Sequence, residues 1–98
     1  MAYKVIIKPH AENDIFEAAD WFEEKNPSLS FDFILKISET LSLIRKNPHH
    51  FQKKYKNIHV VFTSKFPFGI YYTIEKDIIF VHAVLHTKRN PQTGIERV

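Results

Sequence analysis

Near the end of the chain, His86 and Arg89 stand three positions apart, and a lysine-rich stretch occupies the middle, with Lys53, Lys54, Lys56 and Lys65. These are the groups best equipped for chemistry or for holding an anion. An imidazole titrates near ~6.5, so His86 can serve as acid or base at neutral pH. Arg89 and Lys65 can bind phosphate, and Lys53, Lys54 and Lys56 can track a phosphate backbone. Metal-free RNA cleavage needs this kit: a base for the 2'-hydroxyl proton, an acid for the leaving oxygen, and cations beside the phosphate. Tyr55, Tyr71 or Tyr72 could stack a base. Each candidate also has a plainer role. His86 could close a strand end by hydrogen bonding, Arg89 could pair with an acid, and the lysines could simply be solvated. Tyr71 and Tyr72 are adjacent and point to opposite faces of a strand, so at least one of them belongs to a core.

Charge is unevenly distributed. The net charge is +3 and the sequence pI about 9.2. From His10 to Asp32 there are seven acids (Glu12, Asp14, Glu17, Asp20, Glu23, Glu24, Asp32) against Lys25 alone. From Arg45 to Lys65 there are six bases (Arg45, Lys46, Lys53, Lys54, Lys56, Lys65) and no acid. The later segment suits an anionic partner, nucleic acid or an acidic protein, or else forms a solvated loop.

Several chemistries are excluded. The chain has no cysteine, which removes disulfides, thiolate nucleophiles and Cys-based zinc sites. Of its six histidines, His82 and His86 would lie about 13 Å apart on one strand and cannot share an ion. His49 and His50 are adjacent in a loop, and no metal site is expected. With only Gly69 and Gly94, neither a phosphate-cradling loop nor a dinucleotide fingerprint can be built, and no Gly-x-Ser-x-Gly elbow occurs. The apolar run Val5-Ile6-Ile7 is too short for a signal segment, and nothing approaches a membrane span. A cytoplasmic location is expected, with neither membrane nor small-molecule cofactor.

At 98 residues and 44% hydrophobic composition, the chain is expected to form one domain, 1–98, with enough apolar area to fold without staples. Tyr3 to Ile7 alternates as a first strand. Pro9 can open a helix, along which Ala11, Ile15, Ala18, Ala19 and Phe22 form an apolar stripe to about Lys25. Asn26-Pro27 supplies an N-cap and first turn for a second helix, whose expected buried stripe is Ile34, Ile37, Leu41 and Ile44. Pro48 stops it near Asn47. Three strand-like runs follow, Ile58 to Ser64, Ile70 to Glu75 and Ile78 to His86. Lys76-Asp77 turns between the last two, without the preferred Asn-Gly pair. The expected fold is α+β, β-α-α-β-β-β: a helical hairpin on one face of a mainly antiparallel four-stranded sheet, its other face partly open.

Two motifs then carry a family resemblance. Lys65-Phe66-Pro67-Phe68-Gly69-Ile70-Tyr71-Tyr72 is similar to the basic residue, Phe-Pro-Tyr/Phe and Ile-Tyr-Tyr pattern of RelE/ParE toxins. Val84-Leu85-His86-Thr87-Lys88-Arg89-Asn90-Pro91 resembles that family's last strand and its His-x-x-Arg-x-Pro end, while Pro9, Ala11 and Asp14 match the usual start of its first helix. The resemblance runs from about Tyr3 to Pro91.

The resemblance implies a bacterial growth inhibitor held by a cognate antitoxin. RelE-like members cut messenger RNA on the ribosome; ParE-like members block DNA gyrase and carry no chemistry of their own. RelE-like members usually place an arginine on the strand before Phe-Pro, where this chain has His59-Val60-Val61-Phe62-Thr63-Ser64. They also often carry a catalytic Tyr or His after the last strand, where this chain has Lys88-Arg89-Asn90. The ParE-like branch is therefore favoured, with gyrase as target. The ribosome with its message, or an antitoxin-binding member without toxicity, are the alternatives. A ribonuclease would use His86, Arg89 and Lys65. A target-binding surface would use Lys53, Lys54, Lys56, His59, as stand-in for the missing arginine, and Tyr72. All are expected on the basic, aromatic side of the sheet that the helices leave uncovered.

Overall fold

The computed structural model describes residues 3–98. The elements run β1 (Lys4–Ile7), α1 (Pro9–Lys25), α2 (Pro27–Lys46), β2 (Lys53–Tyr55), β3 (Ile58–Phe62), β4 (Phe68–Glu75), β5 (Ile78–His86) and α3 (Pro91–Glu96). Pro9 and Pro27 occupy first-turn positions, where a missing N–H leaves nothing unpaired. Asn26 works at both ends of the helical hairpin. Its N–H donates to the Phe22 carbonyl at 2.8 Å, and its side chain accepts from the Ser28 N–H at 3.0 Å. α2 ends where expected: the Asn47 N–H closes on Leu43, and the Pro48 carbonyl accepts from the Tyr72 hydroxyl at 2.7 Å.

The sheet has five strands, in the order β1-β5-β4-β3-β2, rather than the four expected. The added strand, β2, is three exposed residues with no apolar alternation, so it carries no strand pattern of its own and is held only by pairing to β3. Pairing is antiparallel throughout except between β1 and β5, which run parallel from Lys4↔Ile78 to Ile7↔Val81. α3 was also not expected from the sequence.

α1 and α2 cover one face, over a core of Ala11, Ile15, Phe33, Ile37, Ile44, Val61, Phe66, Phe68, Ile70, Tyr72, Ile79, Val81 and Val84. The stripe expected along α1 is the one that packs. On α2 the buried set is Phe33, Ile37, Thr40 and Ile44, and Ile34 is 42% exposed. The expected stripe was displaced because α2 has apolar residues on nearly every side. Thr40 also passes as polar, although its hydroxyl is bonded back to the Lys36 carbonyl at 2.8 Å, so burying it leaves nothing unsatisfied.

The opposite face is less open than expected. Ile58, Val60, Tyr71, Ala83 and Leu85 form a second, smaller core, against which Ile95 of α3 packs. Among the described residues, no helix is long and apolar enough to cross a membrane.

Candidate functional site

A register shift in β5 decides which side His86 faces. Tyr71 pairs with Ala83 and Tyr72 with Val81, so His82 is an extra residue in the ladder. Such a bulge reverses the alternation beyond it. Ile79 and Val81 face the helices before it, Val84 and His86 after it. His86 lies directly opposite Phe68, their rings edge to face at 5.3 Å, and Phe68 belongs to the helix-covered core.

His86 therefore opens into a groove of about 580 Å³ between α1 and the end of β5, not onto the uncovered side. Ala18, Trp21 and Phe22 form one wall; Pro67, Phe68, Val84 and Leu85 form the floor. His86 and Arg89 stand at one side, Asp14 and Glu17 at another. The turn after β5 fixes the basic pair: the Arg89 N–H donates to the His86 carbonyl at 2.9 Å, the Lys88 N–H to His86 Nδ1 at 3.0 Å, and the Thr87 N–H to the Pro67 carbonyl at 2.8 Å. With Nδ1 accepting, the neutral imidazole carries its proton on Nε2.

The groove exists because β1 is short. It pairs with β5 only as far as Val81, where the Lys8 N–H meets the Val81 carbonyl, and the chain then leaves the sheet as α1. The rest of β5 has no neighbouring strand on that side. Asp14 takes over part of the missing pairing, accepting the Val84 N–H at 3.0 Å. The same carboxylate pairs with Arg97 just beyond α3, both side chains being mostly buried. Asp14 thus ties α1, the free edge of β5 and the chain end together, and sequence reasoning had assigned it only to the start of a helix.

The remaining predicted residues are not gathered here. Lys65 is turned to α2, its ammonium 2.7 Å from Asp32, and it does not line the groove. Lys53, Lys54 and Lys56 are exposed on and beside β2, with Lys56 lying over the Tyr55 ring at 5.4 Å. β2 is three strands from β5, and Lys53 lines up through His59 and Tyr72 with Val81 rather than with His86. With strands about 4.8 Å apart and residues about 3.3 Å apart, lysine edge and groove are separated by roughly 20 Å. The expectation of one continuous basic face is corrected accordingly.

His59 and Tyr72 are corrected as surface residues. They are 3% and 0% exposed and stack at 5.0 Å between ring centres. His59 Nδ1 is 2.8 Å from the Phe51 carbonyl, and burial pushes the Tyr72 hydroxyl pKa well above its usual value. His59 Nδ1 and the Tyr72 hydroxyl thus engage the backbone at Phe51 and Pro48 and hold that loop against the sheet. Among the described residues no cluster of His, Asp or Glu is arranged to hold a metal.

What the arrangement offers is an apolar trough lined by Arg89 and by an imidazole held by the Lys88 N–H, beside a strand edge that Asp14 pairs in part, at Val84. Among the described residues, the His86 side chain is hydrogen-bonded to the Lys88 backbone N–H, and Asp14, Glu17 and Arg89 share the groove with it.

Comparison with known proteins agrees with the architecture. No curated protein matches the chain at a significant level. Among solved structures, a chain of the chromosomal ParDE toxin-antitoxin system from P. aeruginosa superposes with a TM-score of 0.76 at 10% identity, covering 86% of this chain and 95% of that one. At so low an identity the likeness is one of fold. The family model for the ParE toxin of the type II toxin-antitoxin system parDE matches residues 5–91. That span takes in all of β1 but its first residue, the other four strands, both long helices and the groove, and the chain belongs to the ParE toxin family.

Proposed function

We propose that this chain is the toxin of a cytoplasmic toxin-antitoxin pair that arrests growth by binding DNA gyrase, without chemistry of its own. The observation that carries this reading is the dispersal of the ribonuclease kit. His86 and Arg89 share the groove, Lys65 is bound to Asp32, and the lysine edge lies on another part of the sheet. Transition-state stabilisation requires donors already aimed at one reacting phosphate. Two groups at the rim of an apolar trough can still recognise a large partner, for which an anchored side chain and a charged contact suffice.

The antitoxin has a natural seat. An extended segment can lie along the edge of β5 beyond the Val84–Asp14 bond, placing apolar side chains in the groove and an acid against Arg89. Lys53, Lys54 and Lys56 then remain available for an acidic protein surface or the DNA that gyrase holds.

The test is induced expression together with a purified supercoiling assay. Blocked gyrase, a DNA-damage response and intact messages are expected. Cut messages with unaffected gyrase would instead identify a ribosome-dependent nuclease, and unimpaired growth a family member that only binds its antitoxin. His86→Ala and Arg89→Ala should each weaken toxicity while leaving thermal unfolding unchanged. Full toxicity in both would remove the groove rim from the target-binding surface.

A further inference from the structure

α2 has a second apolar face, pointing away from the sheet. Phe31 is 71% exposed and Leu35 44% exposed, and Ser38 and Ser42 are exposed in line with them. Phe31, Leu35, Ser38 and Ser42 are spaced four, three and four residues apart. Such spacing draws a narrow stripe along one side of a helix, the seam of a two-helix coiled coil. Ile34 flanks the stripe. On one flank the acids are already neutralised, Asp32 by Lys65 and Glu39 by Lys36.

The bulk is all in the first half of this seam, and the notches are all in the second. We propose that α2 pairs with α2 of a second copy of this chain, antiparallel, about a two-fold axis passing between Lys36 and Ile37. That axis sets Phe31 against Ser42 of the other copy and Leu35 against Ser38, so each large side chain meets a small one, twice over. A parallel pairing would set Phe31 on Phe31 and leave Ser42 facing Ser42 across a void. The axis also falls at the midpoint of α2, Pro27–Lys46, so the two helices overlap along their whole length of about 30 Å.

Charge agrees with the same arrangement. The start of α2 is joined to the acidic end of α1, with Glu23 and Glu24, whereas its end carries Arg45 and Lys46 and leads into His49 and His50. Antiparallel pairing brings acidic end to basic end at both extremities and opposes the helix dipoles favourably. One helix seam covers less than the roughly 800 Å² per partner of a standard stable interface, so the dimer exchanges with monomer. The groove and the lysine edge stay open in it, and the inference is independent of the target.

The chain has no cysteine of its own, which makes cross-linking clean. The double variant Phe31→Cys, Ser42→Cys should form a covalent dimer under mild oxidation. Each single variant alone should not, because the two-fold separates like positions by about 16 Å along the axis. Mixing the two single variants should restore the link. By sedimentation equilibrium the unmodified chain should show monomer and dimer, and Leu35→Glu should weaken the dimer at least about tenfold, with unchanged circular dichroism because the site is exposed. Three results would overturn the pairing: a unmodified chain monomeric at all concentrations, single variants that cross-link with themselves, or a thiol at position 31 shielded only when a separate acidic protein is added.

Discussion

Beneath α1 and α2, Phe22, Phe33, Phe66 and Phe68 meet edge to face or tilted, with ring centres 5.0 to 6.1 Å apart. On the other side of the same sheet, five buried residues lie under a six-residue helix. The first face is stabilised by area: large rings largely withdrawn from water, arriving from two helices, the loop before β4 and β4 itself. The second is stabilised by fit and by one clasp. Gly94 of α3 sits so close to Tyr71 that a Cβ there would lie 2.6 Å from the ring, and Arg97 reaches round the edge of β5 to Asp14. Removing area is therefore the change that damages the first face, and adding bulk at the close approach the change that damages the second.

The contrast is most directly tested at Phe33, which is 0% exposed and contacts three other rings. Phe33→Ala should lower global stability by about 3 to 5 kcal/mol in urea unfolding, the usual cost of a phenylalanine-sized core cavity. A loss under about 1 kcal/mol would mean that this face is not where the area term resides.

Gly94→Val comes next. The added atoms cannot enter the space held by the Tyr71 ring, so α3 should lift, at a cost of about 1 to 3 kcal/mol. Amide exchange should quicken in residues 91–98 and at Val84, whose N–H is held by Asp14, while the amides of α2 stay protected. Should α2 lose protection as well, the two faces would be one cooperative unit and the contrast would fail.

The same two faces differ in how far the sequence announced them. The helix-covered face was readable because its signals are periodic and long: Ala11, Ile15 and Phe22 on α1, the Asn26-Pro27 junction, and the β-branched and aromatic runs of β3 to β5. α3 was missed although Asn90-Pro91 repeats the Asn-Pro pair that marks the start of α2, with Asn90 likewise accepting from the N–H two residues on. Gly94 argued against a helix by propensity, and six residues are too few to show a stripe. What settles α3 is a tertiary contact with Tyr71. The site was legible in its residues and not in its geometry: His86 and Arg89 do share a groove, but the bulge at His82 that turns His86 toward the helices leaves no pattern in the sequence. Lys53, Lys54 and Lys56 looked like neighbours of that pair only because strand order is invisible along the chain.

A smaller effect should come from the β4–β5 turn, shared by both faces. Lys76 holds a φ of 56°, a left-handed conformation that costs a side chain about 1 to 2 kcal/mol. Lys76→Gly removes that cost but loosens the unfolded chain, so a net gain of about 0.5 to 1 kcal/mol is expected. It should raise the midpoints of wild type and Gly94→Val alike, since the turn precedes the point where the faces part.

The smallest effect should separate the faces by pH. His82, at the bulge, is half-buried on the α3 side with Nε2 2.9 Å from the Thr73 hydroxyl. Burial first and Lys8 second hold its pKa below the ordinary 6.5, against a weaker upward pull from Glu75. Above that ordinary value both folded and unfolded chains keep the ring neutral, and His82 adds no pH dependence. As pH falls below it, the unfolded chain binds a proton that the folded chain resists, so stability declines until the pH passes the native pKa. Urea titrations between about pH 7.5 and about pH 5 should therefore show a downward slope that His82→Gln reduces. Because His82 lies beside the Ala83–Leu85 segment under α3, quickened exchange at low pH should appear in α3 before α2. An unchanged slope in His82→Gln would remove His82 as the source of the acid sensitivity.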